Sequence, residues 1–160
     1  MLELKNLFKK ITFKDILLML GILLLYFLPL FFFKIDIEYY DSLKKINVPP
    51  LVFSIVWTII YLCMTIFIFW HLKIKNTHNR GAFWVYLILN YLTESSYVYV
   101  FFTLHNLFLS FVICLFTFLT ITLVSLEAFV IKKQSVYFLI PYLIWSAFAS
   151  VLAVLIYIWN

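Results

Sequence analysis

Glu94 lies in the stretch "LNYLTESSYVYVFF", Leu89 to Phe102, where Asn90, Thr93, Ser95 and Ser96 accompany it inside an otherwise apolar and aromatic run. A carboxyl in such a setting can couple to an ion or proton pathway, or it can meet the polar edge of a bound molecule. Asn90 is four residues before Glu94 and therefore on the same helix face. The pair reads as a polar patch in a ligand site, or as an interhelical hydrogen-bond clamp with Glu94 protonated. A second set of residues sits in "PPLVFSIVWTIIYLCMTIFIFWHL", Pro49 to Leu72. Trp57 and Tyr61 are one helical turn apart and form a stripe, and Tyr97 and Trp145 also fall well inside apolar runs. Rings so placed can stack on a flat ligand while their N–H and O–H groups bond its polar edges, or they can pack against one another as core.

Other chemistries find little support. His71, His78 and His105 fall at span ends or in loops, none at helical spacing from another His or a Cys, so neither a metal site nor a cofactor is expected. Cys63 and Cys114 read as small core residues. Glu127, near Lys132 and Lys133, reads as one half of an interfacial ion pair. No nucleophile–base set and no phosphate-binding loop is present, so the residues alone do not indicate an enzyme.

The elements that carry these residues are membrane spans. Of the 160 residues 66% are hydrophobic and only 12% charged, whereas a soluble domain is nearer one quarter charged. Five apolar stretches, about 16–33, 51–72, 82–104, 107–131 and 136–159, each have the roughly 18–25 residues a spanning helix needs. The expectation is an all-α membrane protein, a bundle of five transmembrane helices in a single domain over 1–160. The basic N-terminus, "MLELKNLFKKITFKD", reads as a short amphipathic segment before an uncleaved first span. Nine of the twelve Lys and Arg flank the spans on the N-terminal side; Lys34, Lys44 and Lys45 occupy the first loop on the other. The positive-inside rule then puts the N-terminus in the cytoplasm and the long first loop outside. The formal charge of +5 thus reads as a topology signal, and no nucleic-acid partner is expected.

The second span's "VWTIIYLCM" after a double proline, the fifth span's "PYLIWSAFASVL", the first loop's "YYDSL" and the third span's "SSYVYVFF" together resemble the TspO/MBR family, the tryptophan-rich sensory or translocator proteins, in its bacterial form. The resemblance runs in order from the first loop to Asn160. It implies a five-helix bundle in the bacterial cell membrane, often a homodimer, with the first loop folded over a pocket. It further implies a porphyrin, another tetrapyrrole or another flat hydrophobic molecule as ligand, sensed, sequestered or handled by the protein. Trp57 and Tyr61 would line the pocket from the second span, Tyr97 from the third, and Trp145, Phe148 and Ala149 from the fifth; the residues themselves add Asn90 and Glu94. Some bacterial members are described as degrading porphyrin with light, through tryptophans at the positions of Trp57 and Trp145. A small proton-coupled transporter using Glu94 is the alternative from outside the family. The chain also departs from the family pattern. Tyr39 stands for the first-loop Trp, Ser95 and Tyr97 for the third-span Trp pair, and Glu94 for an Asn.

Overall fold

A computed structural model describes residues 11–46, 48–74 and 80–160. Residues 1–10 of the amphipathic N-terminal segment, Lys75 and His78 lie outside the described residues. Among the described residues there are five long helices and one short one: α1 Phe13–Phe32, the short α2 Ile37–Ser42, α3 Pro50–Lys73, α4 Gly81–Phe102, α5 Leu107–Lys132 and α6 Ile140–Trp159, with a 3₁₀ helix Lys133–Leu139 leading into α6. Each long helix has 20 to 26 residues, about 30 Å or more at 1.5 Å per residue, enough to cross a bilayer. Leu17, Leu24, Phe116, Ile144 and Val151 point outward, the surface a hydrocarbon solvent requires. The protein is an all-α integral membrane protein built as a bundle of five transmembrane helices.

The helix ends follow local chemistry. Asp15 accepts from the backbone N–H and the hydroxyl of Thr12 at the start of α1, at 3.0 and 2.9 Å, and also pairs with Lys73 at the end of α3. Pro50 opens α3, where its missing N–H costs nothing, and it drives Pro49 into the extended conformation. Arg80 donates to the carbonyls of His71 and Ile74, both at 2.8 Å, and so closes the C-terminus of α3. Between α4 and α5 the chain turns through His105 at φ 50°, and the Asn106 side chain then accepts from Leu109 N at 2.9 Å. Glu127 makes no ion pair with Lys132 or Lys133, contrary to the expectation from sequence. Elsewhere Lys45 pairs with Asp41 and Lys73 with Asp15.

The long helices close a ring. α1 packs on α3 and α4, α4 on α5, α5 on α6, and α6 with the 3₁₀ helix back on α3. The core holds Ile60, Met64, Phe67, Phe83, Ile121, Val124 and Leu139, all without measurable exposure. At the end near the 3₁₀ helix, His71 is wholly buried against Phe83, and its Nε2 lies 2.8 Å from Ser135 Oγ. At the opposite end α2 lies across the bundle as a lid. Tyr39 stacks on His105 at 3.8 Å between centroids, and Asn160 holds Lys44 by two backbone hydrogen bonds of 2.9 Å each.

Pro29, inside α1, lacks the N–H that would bond the carbonyl of Leu25. Tyr91 of α4 fills that gap: its hydroxyl donates to Leu25 O at 3.0 Å. In a bilayer such a carbonyl has no water to turn to. Tyr91→Phe should therefore destabilise the bundle by about 1–2 kcal/mol, read as thermal unfolding in detergent. In a Pro29→Ala background, where residue 29 again supplies the N–H, the same change should cost markedly less. Equal costs in both backgrounds would show that the proline-freed carbonyl is not what Tyr91 serves.

Candidate functional site

The cavity in the bundle forms because one wall is made of small residues. On α6, Ser146, Ala149 and Ala153 follow one another at three- and four-residue spacing and share a face. They leave space opposite the large rings of α3 and α4 that the other side chains do not fill. The resulting cavity of about 70 Å³ lies toward the lid. Its wall comprises Phe53 and Trp57 from α3, Glu94 and Tyr97 from α4, Cys114 and Thr117 from α5, and Trp145, Leu152 and Ile156 with the small residues from α6. Tyr40 of α2 closes it from above.

The rings form a connected frame. Tyr40 meets Phe53 at 5.8 Å between centroids, Phe53 meets Trp145 edge-on at 5.3 Å, and Tyr97 stacks on Phe101 at 5.4 Å. Trp57 contacts Tyr61 at 5.5 Å and Tyr142 at 5.8 Å. Tyr40 also donates to Val48 O at 3.3 Å; partial burial, and then the neighbouring Asp41, raise its pKa above the usual tyrosine value, so it remains a donor.

Glu94 is the polar centre of the cavity. It is 7% exposed, and its Oε1 accepts a 2.6 Å hydrogen bond from the Tyr61 hydroxyl. Tyr61 in turn is walled by Tyr26 at 5.3 Å and Phe27 at 5.1 Å, so the donor cannot swing away. Glu94 Oε2 has no protein partner, and neither has Trp145 Nε1, although Trp145 is only 9% exposed. Two buried polar atoms without partners on one small cavity mark a place where a ligand's polar edge can be met.

The sequence-predicted residues separate into groups. Trp57, Glu94, Tyr97, Trp145 and Ala149 come together around the cavity. Tyr61 stands directly behind it and holds Glu94. Asn90 is wholly buried one turn away from the lid side, donating to Thr117 O and Thr120 Oγ1 at 3.1 Å each, and so fastens α4 to α5. Phe148 is 38% exposed and is not part of the wall, though its ring touches Trp145 at 5.4 Å. Sequence reasoning missed Tyr40, Phe53, Ser146 and Ala153. Phe53 continues the four-residue spacing of Trp57 and Tyr61, and the Ser146–Ala149–Ala153 face was readable as a run of small residues at helical spacing.

The model of the TspO/MBR family matches residues 16–159. The chain belongs to this family. Among curated proteins, the chain is similar to the Tryptophan-rich protein TspO of Bacillus cereus, 31% identical over 137 residues that cover 83% of this chain and 88% of that protein. It is also similar to the Uncharacterized membrane protein YtaB of Bacillus subtilis, 29% identical over 125 residues covering 77% of this chain and 81% of that one. This TspO/MBR member sets Trp57, Trp145 and the Glu94 carboxyl on one cavity wall.

The Tyr61–Glu94 hydrogen bond ties α3 to α4 inside the bundle. Tyr61→Phe should cost about 1–3 kcal/mol of stability, because it leaves a buried acceptor unmet. Adding Glu94→Leu to that variant should restore most of the loss, since both polar partners are then gone. Thermal unfolding of the single and double variants in detergent checks this, and a double variant no more stable than Tyr61→Phe would contradict it.

Proposed function

We propose that this protein binds a flat, largely hydrophobic ligand of the porphyrin or tetrapyrrole kind in the cavity between Trp57, Glu94, Tyr97 and Trp145, and that it senses, sequesters or hands on that ligand. The observation that carries this reading is the combination of aromatic walls with two unpartnered buried atoms, Glu94 Oε2 and Trp145 Nε1. The rings suit a flat face, and the polar atoms suit its edge. Membership of the TspO/MBR family supports the same reading. The basic bias of the span ends supports a cytoplasmic N-terminus, with the lid and the cavity mouth on the outer side.

The cavity of about 70 Å³ is well below the roughly 300 Å³ of a typical small-molecule site, so a tetrapyrrole enters only when the lid lifts. The lid is held by the Tyr40 ring against Phe53 and Phe101, by the Tyr39 ring against Phe101 and His105, and by a few polar bonds: the two between Lys44 and Asn160 and one of 3.4 Å from the Tyr39 hydroxyl to His105 O. Such contacts can open without unfolding the ring of long helices below.

Titration of the purified protein with protoporphyrin IX should quench tryptophan fluorescence saturably. Trp57→Ala and Trp145→Ala should each weaken binding by about 1–3 kcal/mol, the scale of a lost ring-stacking contact. Trp84→Phe, outside the cavity wall, should change affinity little. Equal losses in all three variants would indicate general destabilisation and remove the pocket assignment. A proton-driven flux of the ligand in proteoliposomes would place the protein among transporters instead.

A further inference from the structure

We infer that Glu94 makes the inner end of the cavity selective for a ligand edge that is cationic or donates N–H, and selective against a carboxylate. This rests on the ligand-pocket reading above and adds the chemical class of the edge that the pocket accepts. Among the described residues, Glu94 supplies the only carboxyl of the wall, and no Lys or Arg lines the cavity. Its Oε1 is already engaged by Tyr61, which fixes the plane of the carboxyl, and its Oε2 is left to meet the ligand. Lys44 and Lys45 stand on the lid side, and Lys45 is occupied there. Its Nζ lies 3.6 Å from Asp41 Oδ1 and 4.3 Å from the centre of the Tyr40 ring.

An anionic edge at Glu94 meets repulsion if the carboxyl is ionised. If the carboxyl is neutral, its one O–H can meet the anion, but the anion is still stripped of water with no countercharge. A cationic or N–H-bearing edge meets an oriented oxygen and supplies the partner that Oε2 lacks. The unfavourable pairing does as much for selectivity as the favourable one. A tetrapyrrole then lies with its carboxylates toward the lid lysines and a neutral edge inward. A planar aromatic amine fits with its amine inward.

The test uses three probes with the same three fused rings and different edges: 9-aminoacridine as the cation, anthracene-9-carboxylate as the anion and anthracene as the neutral frame. Binding is measured by equilibrium dialysis of the full chain in nonionic detergent, with protein-free micelles as reference. Ala149→Phe, which fills the cavity, reports binding elsewhere on the protein. Wild type should bind the cation at least about tenfold more tightly than the anion, and Glu94→Gln should bring the two within about threefold while still binding anthracene. Cavity-dependent anthracene binding without a cation preference in wild type would overturn the inference and leave the pocket reading standing. An unchanged preference in a Glu94→Gln variant that still binds anthracene would also overturn it. If no probe binds wild type better than Ala149→Phe, the pocket reading fails and the inference with it. Should Glu94→Gln fail to fold, the wild-type ratio of cation to anion alone decides.

Discussion

A carboxyl inside a bundle of apolar helices must be met by something, and the hydrogen bond from Tyr61 to Glu94 is how this protein meets half of that requirement. Much of the interior is arranged around it. Tyr26 and Phe27 of α1 hold the Tyr61 ring from one side and Trp57 holds it from the other, so three helices converge on one oxygen atom. The second oxygen has no protein partner, and the indole N–H of Trp145, another residue of the cavity wall, has none either. One oxygen is thus a clamp, and in the proposed reading the other is the binding group. One end is satisfied so that the other can be held still.

Around that centre the polar groups divide by depth. Asn90 ties α4 to α5 through Thr117 O and Thr120 Oγ1, with bonds internal to the fold. At the far end of the bundle His71 ties α3 to the 3₁₀ helix through Ser135, and Arg80 closes the C-terminus of α3. At the lid end the bonds run instead between a short helix and the loops and C-terminus around it. Stability therefore resides in the ring of long helices, and the mouth is closed by contacts that can be broken one at a time. The space in the cavity comes from Ser146, Ala149 and Ala153, whose small side chains let α6 face the rings without filling the gap.

The fold was legible because five apolar runs of spanning length leave few alternatives, and because the motifs around Trp57 and Trp145 resemble one family. The neighbourhood of Glu94 was legible for the same physical reason that makes it costly: a carboxyl stands out in a greasy helix. Other parts depended on pairings that a single sequence does not display. Asn90 shares a face with Glu94 by spacing, yet its amide turns to α5, because helix rotation decides which neighbour a residue meets. Phe148 sits three residues after Trp145 but outside the cavity wall, since a 100° turn per residue carries it past the cavity. Tyr40 belongs to the lid, whose position over the bundle follows from contacts with His105 and Asn160 far along the chain.

The central claim is that Glu94 is held by Tyr61 and presents its free oxygen to a ligand. Infrared difference spectroscopy reads this directly, comparing the protein with and without saturating 9-aminoacridine, a probe that has no carboxyl of its own. The account predicts a carboxyl band that changes when the probe is added, is absent from Glu94→Gln and moves in Tyr61→Phe before any probe is present. A probe-saturated spectrum in which no carboxyl band changes would contradict it.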